Sequence, residues 1–178
     1  SSMSLLPSIY NRLTNKTLTF PSIERYKKHR TSIREAVSHS LGVDLEMVKQ
    51  AFTAIWFGMR KNTKRFMNVD EAWIVPTLTQ IFGNEKTAKS FVNHSEVNNL
   101  WKEVAEIFSA LAKETKSTLP DYKPSQRVSY LYQTNEAEML KVMIEFVGKS
   151  LVITKHDAVV ISSPLSLCQL RLLEDRIY

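Results

Sequence analysis

Apolar residues recur at three- and four-residue intervals along most of the chain, the spacing that lines one face of an α-helix. Ile33, Val37 and Leu41 form one such stripe and predict a helix capped by Ser22 and running to about Leu41. Gly42 is its stop, because glycine tolerates the left-handed conformation past a helix end. Asp44 caps a second helix over 45–57, whose later half is strongly apolar at Phe52, Ile55, Trp56 and Phe57. Further helices are expected at about 70–82, 85–93 and 96–116. Residues 4–20 are polar and irregular and predict an extended arm. Pro120 and Pro124 mark 119–129 as a linker.

The last fifty residues change period. Thr134 or Asn135 can cap a helix to about Val147, with Met139, Met143 and Phe146 turned inward. The β-branched runs 151–155 and 158–162 are separated by two residues, His156 and Asp157, which is hairpin spacing. Ser163 then caps a terminal helix with Pro164 at its first position. On that helix Cys168 shares a face with Leu165 and Leu172 and reads as core. The expected fold class is α+β and predominantly helical: an arm (1–20), a helical region (21–118), and a helix, β-hairpin, helix unit (119–178).

Composition narrows this picture. Four glycines and six prolines in 178 residues leave little to interrupt the helices. One cysteine excludes a disulfide within the chain and suits a reducing, intracellular compartment such as the cytoplasm. No apolar run approaches the ~20 residues that span a bilayer, and the start has no signal-peptide pattern. The formal charge of +6 is unevenly placed. Residues 1–65 hold twelve Lys and Arg against four acids, a net of +8, which leaves the remainder at −2. A basic third on a near-neutral body points to a polyanion such as nucleic acid or nucleotide phosphate, or else to a lysine-rich solvated surface.

Two stretches carry candidate chemistry. The first is Leu151-Val-Ile-Thr-Lys-His156-Asp157-Ala158-Val-Val-Ile-Ser162, which presents an aspartate between two hydrophobic strands. As an ordinary turn it is a poor choice, since Asn-Gly or Asp-Gly suits a two-residue turn better. The second is Lys49-Gln-Ala-Phe-Thr-Ala-Ile-Trp-Phe57-Gly58. Eight residues make about 800° of helix, about 80° past two full turns, so Lys49, Thr53 and Phe57 line one side. Taken alone, Phe52, Trp56 and Phe57 read as core and Lys49 as a solvated lysine.

Together and in this order, the two stretches resemble the fingers helix and the last palm motif of single-subunit nucleic-acid polymerases. That superfamily includes phage-type RNA polymerases and family A DNA polymerases. The resemblance covers roughly residues 30–65 and 126–178, including Gln133 on the helix before the hairpin. It implies templated nucleotidyl transfer, with Asp157 binding magnesium and His156 positioning the primer or nascent 3′ end. Lys49 would hold the triphosphate, Phe57 would pack on the incoming nucleotide, and Gly58 would let base or template approach the backbone. Lys61, Lys64 and Arg65 are candidates for the template backbone, unless they form a solvated loop. Arg30 and Arg34 are candidates to supply the charge that the family carries four residues before the lysine, where this chain has Leu45. Phe57 stands where tyrosine is usual. Ala158 follows the aspartate, closer to the small residue of phage-type RNA polymerases than to the glutamate of family A, which favours RNA over DNA as product. The family's other metal-binding aspartate precedes the fingers helix. The 48 residues before Lys49 hold only Asp44, a helix cap. The resemblance therefore implies a second chain or segment that supplies it, as in split phage RNA polymerases, with DNA template and nucleoside triphosphates as the other partners.

The same region also resembles a helix-turn-helix, through Gly42, the capping Asp44 and Val48. A regulatory DNA-binding protein would then place Lys49 near the major groove. That reading needs an exposed second helix, whereas the polymerase reading needs one facing a cleft. The four histidines and Cys168 have no metal-ligand spacing, and there is no glycine-rich phosphate loop.

Overall fold

A computed structural model describes residues 2–68, 71–155 and 158–177. The expected extended arm is instead a helix, α1 (Ser2–Thr14). It exists because Leu6, Ile9 and Tyr10, at helical spacing, are buried against the rest of the chain. A stripe of three apolar residues is too short to hold a helix in water, so docking makes this one.

Of the next two helices the second follows its local signals, whereas the first is not capped by Ser22 as expected, because Ser22 lies inside its first turn behind Pro21. α2 (Pro21–Leu41) begins with proline in its first turn and ends at Gly42, whose φ is +62°. It is interrupted at His29, where the backbone leaves helical geometry. α3 (Leu45–Trp56) is capped by the Asp44 carboxylate, which accepts from the Glu46 backbone N–H. The expected helix over 70–82 is shortened to α4 (Thr77–Phe82), with Pro76 at its N-cap. Residues upstream instead pair as an antiparallel hairpin, β1 (Phe66–Met67) with β2 (Trp73–Ile74), in the register Phe66 to Ile74 and Met67 to Trp73.

α5 (Glu85–Asn93) is capped by Asn84, which accepts from Thr87 N–H at 2.8 Å. α6 (Ser95–Glu114) is the central helix, touching α1, α2, α3 and α5. The expected linker is cut short by α7 (Pro124–Val147), which starts about ten residues before Thr134. Proline is at home in the first turn, where its missing N–H costs nothing. Thr134 and Asn135 therefore lie within the helix rather than capping it. Asn135 is buried and accepts from Arg12 of α1 at 2.6 Å.

A single 3₁₀ turn (Gly148–Ser150) leads into β3 (Leu151–Lys155), antiparallel to β4 (Ala158–Ile161). The expected hairpin is thus present, with a register shift between Leu151 and Ile153. The terminal helix α8 (Leu167–Ile177) starts later than expected. Ser166, not Ser163, closes its first turn, exchanging hydrogen bonds with Gln169. That shift leaves Cys168 exposed rather than in the core, and Leu173 is buried instead.

The core lies among α1 to α7. Tyr26, Phe52 and Phe91 are fully buried and in ring contact, 4.7 Å between the first two centroids and 5.4 Å between the last two. Leu100, Val104, Ile107 and Leu111 give α6 its inward stripe. Long-range caps join the layers. The Glu103 carboxylate of α6 accepts from the backbone N–H groups of Ser22 and Ile23, at 3.0 and 2.9 Å, where α2 has no cap of its own. Arg127 of α7 is buried and donates to the carbonyls of Ala112 and Tyr122, both at 2.8 Å.

Candidate functional site

α3 sorts its side chains into two groups. Val48, Ala51, Phe52, Ile55 and Trp56 face the core. Glu46, Met47, Gln50 and Thr53 face outward, with Lys49 half-buried beside them. Side chains three and four apart share a helix face. Lys49 and Thr53 therefore share the outward side, and Phe57 follows where the helix ends. Thr53 Oγ1 donates to the Lys49 carbonyl at 2.9 Å. Lys49 Nζ lies 3.2 Å from Glu46 Oε2, a pair open to solvent. Such surface pairs contribute little, so Lys49 can exchange its partner for another anion at small cost.

Beside the end of α3 lies a cavity of about 320 Å3. Trp56, Phe57, Phe108, Tyr132, Val128 and Leu6 make its walls, and Ser125, Gln126 and Ser129 bring polar groups from the first turns of α7. Phe57 is not core, as its spacing alone suggests. It is 63 % exposed, with its ring edge-on to Tyr132 at 6.2 Å between centroids. The backbone explains why. α3 stops at Trp56, and Phe57 is the residue where the chain leaves the helix. Gly58 follows with φ +73°, and a Cβ there would lie 2.5 Å from Phe108 Cε1. Glycine thus permits both the turn and the close approach of the backbone to the Phe108 ring.

The other expected site residues are spread over several elements. His156 and Asp157 lie outside the described residues; the strands on either side of them pair up to Lys155 and Ala158. β4 packs on α7, the helix that carries Tyr132. Gln133 is exposed, within hydrogen-bond reach of Ser129 at 3.4 Å. Lys61 is tied down: Nζ donates to Asn98 Oδ1 at 2.7 Å and stands over the Trp101 ring. Lys64 and Arg65 are exposed. Arg30 is exposed beside the irregular His29 turn, on the wall of a shallow polar cavity with Lys27 and Lys28. Arg34 Nε donates to the Tyr26 hydroxyl at 2.7 Å. Burial pushes the Tyr26 hydroxyl pKa up, and the Arg34 hydrogen bond and charge oppose that shift.

The structure places Phe57 on the cavity wall and Gly58 against Phe108, leaves Lys49 on the outward side of α3 and outside the cavity lining, and keeps Arg30 and Arg34 on a different helix. It adds Phe108 and Tyr132, which sequence reasoning missed. They belong to α6 and α7, and no local pattern relates them to Phe57. Among the described residues, no group of three or more His, Cys, Asp or Glu could hold a metal ion. No described helix is long and apolar enough to cross a membrane. No protein-family model, curated protein or solved structure matches the chain.

Proposed function

We propose that this chain forms the fingers and part of the palm of a DNA-templated nucleotidyltransferase of the single-subunit type, making RNA. The observation that carries the reading is Phe57, held out of the core on the wall of an aromatic cavity at the end of the helix that carries the exchangeable Lys49. Lys49 and Phe57 are separated by about 12 Å of helix rise, a span suited to a nucleoside triphosphate with phosphates at one end and base at the other. The aromatic walls suit a base, and the hydroxyls and amide of α7 suit sugar or base edges.

In this reading magnesium belongs to Asp157, which lies outside the described residues, and its role would be to neutralise the phosphates. A second chain or segment would supply the missing aspartate. The aliphatics of the carboxy-terminal unit support such a partner, since Val152, Ile153, Val160 and Leu167 are exposed. The helix-turn-helix alternative keeps the exposed outward side of α3 in its favour, but it gives no role to Phe57 or to the cavity beside it.

A fluorescent nucleoside triphosphate titrated into the chain tests the site. Lys49→Ala and Phe57→Ala should each weaken binding about tenfold, the range of a charge-assisted contact or a stacked base. Phe57→Tyr should keep it. With its partner restored, Asp157→Asn should abolish templated incorporation. Nucleotide affinity indifferent to Lys49 and Phe57, or incorporation indifferent to Asp157, would sink the proposal.

A further inference from the structure

We infer that the β1–β2 hairpin is a stacking platform for single-stranded nucleic acid, served by the cations of the loop that leads into it. Directly opposed residues of an antiparallel pair share a face. Phe66 and Ile74 therefore lie on one side of the hairpin, and Met67 and Trp73 on the other. All four are exposed, Trp73 at 66 %. Strands of two residues do not hold an apolar face out of water by themselves. Aromatic surface left open on both sides of so small a unit marks a binding face rather than a core.

The base of the hairpin is firm. Lys61 bonds to Asn98 of α6, Trp101 Nε1 donates to the Met59 carbonyl at 3.2 Å, and Thr79 Oγ1 of α4 donates to the Thr63 carbonyl at 2.6 Å. The loop is thereby pinned to two helices while Arg60, Lys64 and Arg65 remain exposed. Among the described residues, no carboxylate pairs with these three cations. Arg60 also lines a cavity of about 400 Å3 with Phe66 and Ile74, so charge and aromatic surface meet in one opening. The opposing charge nearby is Glu71, exposed with φ +58°; Asp70 lies outside the described residues.

The chemistry selects the occupant. The cations call for a polyanion, and the open rings call for flat apolar groups. A single strand offers both together, whereas a duplex keeps its base faces stacked. The platform is distinct in its residues from the nucleotide site, since none of them lines the cavity beside Phe57.

Anisotropy of labelled oligothymidylate and oligouridylate, titrated with the chain over a range of salt, is the test. The chain should bind both. Trp73→Ala should raise Kd about tenfold, and Trp73→Phe should restore binding. Lys64→Ala with Arg65→Ala should make the salt dependence shallower by about 1.4 in log–log slope, because two fewer phosphates are neutralised. Trp73→Ala should leave the affinity for a fluorescent nucleoside triphosphate as in the parent, so the platform and the nucleotide site can fail separately. Circular dichroism should be unchanged in every variant. Three results would overturn the inference: no oligonucleotide binding by the parent; binding unaffected by Trp73→Ala; or displacement by polyglutamate as readily as by oligonucleotide, which would assign the face to an acidic protein. Self-association abolished by Trp73→Ala would also overturn it, by assigning the face to a second copy.

Discussion

The helical body and the carboxy-terminal unit contain similar aliphatic residues and treat them differently. In the body, α6 buries Leu100, Ile107 and Leu111 completely because helices close around it. After Gly148, Leu173 is buried, but Val152, Ile153, Val160, Leu167, Leu170 and Leu172 are exposed. A hairpin has two faces and a terminal helix several, and α7 alone cannot cover them all. Periodicity reports that a face is apolar and says nothing of what covers it. The body supplies its own cover, while the carboxy-terminal unit leaves these described aliphatics open.

Core substitution should break this comparison most sharply. Phe52→Ala, at the centre of the aromatic cluster, should cost about 3–5 kcal/mol by denaturant unfolding, from reduced burial and the cavity left behind. Val160→Ala on the exposed hairpin should stay within about 0.5 kcal/mol. Equal losses at the two sites would erase the contrast.

The caps between layers should matter less. Glu103→Ala leaves two N–H groups of the α2 first turn without their acceptor and removes a negative charge from a helix N-terminus. A loss of about 1–2 kcal/mol is expected. Glu103→Gln should recover part of it, since an amide oxygen still accepts. Amide exchange at Ser22 and Ile23 would report the change directly.

The smallest effect is a pH dependence within the body. Hydrogen bonds from Arg25, followed by its charge, hold the Glu96 carboxyl below the usual glutamate range, against the opposing effect of burial. A lowered folded-state pKa stabilises the fold above the unfolded value of about 4.3, and that contribution fades as pH falls through the folded value. Glu96→Gln should therefore be slightly less stable than the parent near neutrality, and the two should converge in strong acid. A gap that widened toward low pH would contradict the assignment.

Some of this was legible along the chain. The Gly42 stop, the Asp44 cap and the hairpin of 151–155 with 158–161 all follow from chemistry within a few residues of each element. Other elements were not legible. α1 depends on a docking surface formed by later helices. The β1–β2 hairpin lies in a stretch whose pattern also suits a helix, and Pro76 decides where α4 begins. α7 starts at Pro124 because proline, a breaker inside a helix, also suits a first helical turn. Cys168 turns outward because the cap of α8 lies three residues further on than Ser163. Near the cavity, Phe57 could not be told from core by spacing alone, and its exposure follows from the helix ending one residue before it.

The sequence by itself determined that this chain is mostly helical, where its strongest caps fall, that its cations gather in the first third, and that two short strands flank His156 and Asp157. Those properties depend on neighbours within a turn or two. Tertiary structure alone decided that Phe57 stands open beside Tyr132, that Lys61 is anchored while Lys64 and Arg65 are exposed, and that Glu103 caps a helix 81 residues before it. Each of these depends on which distant side chain reaches a given atom first, and local periodicity holds no record of that.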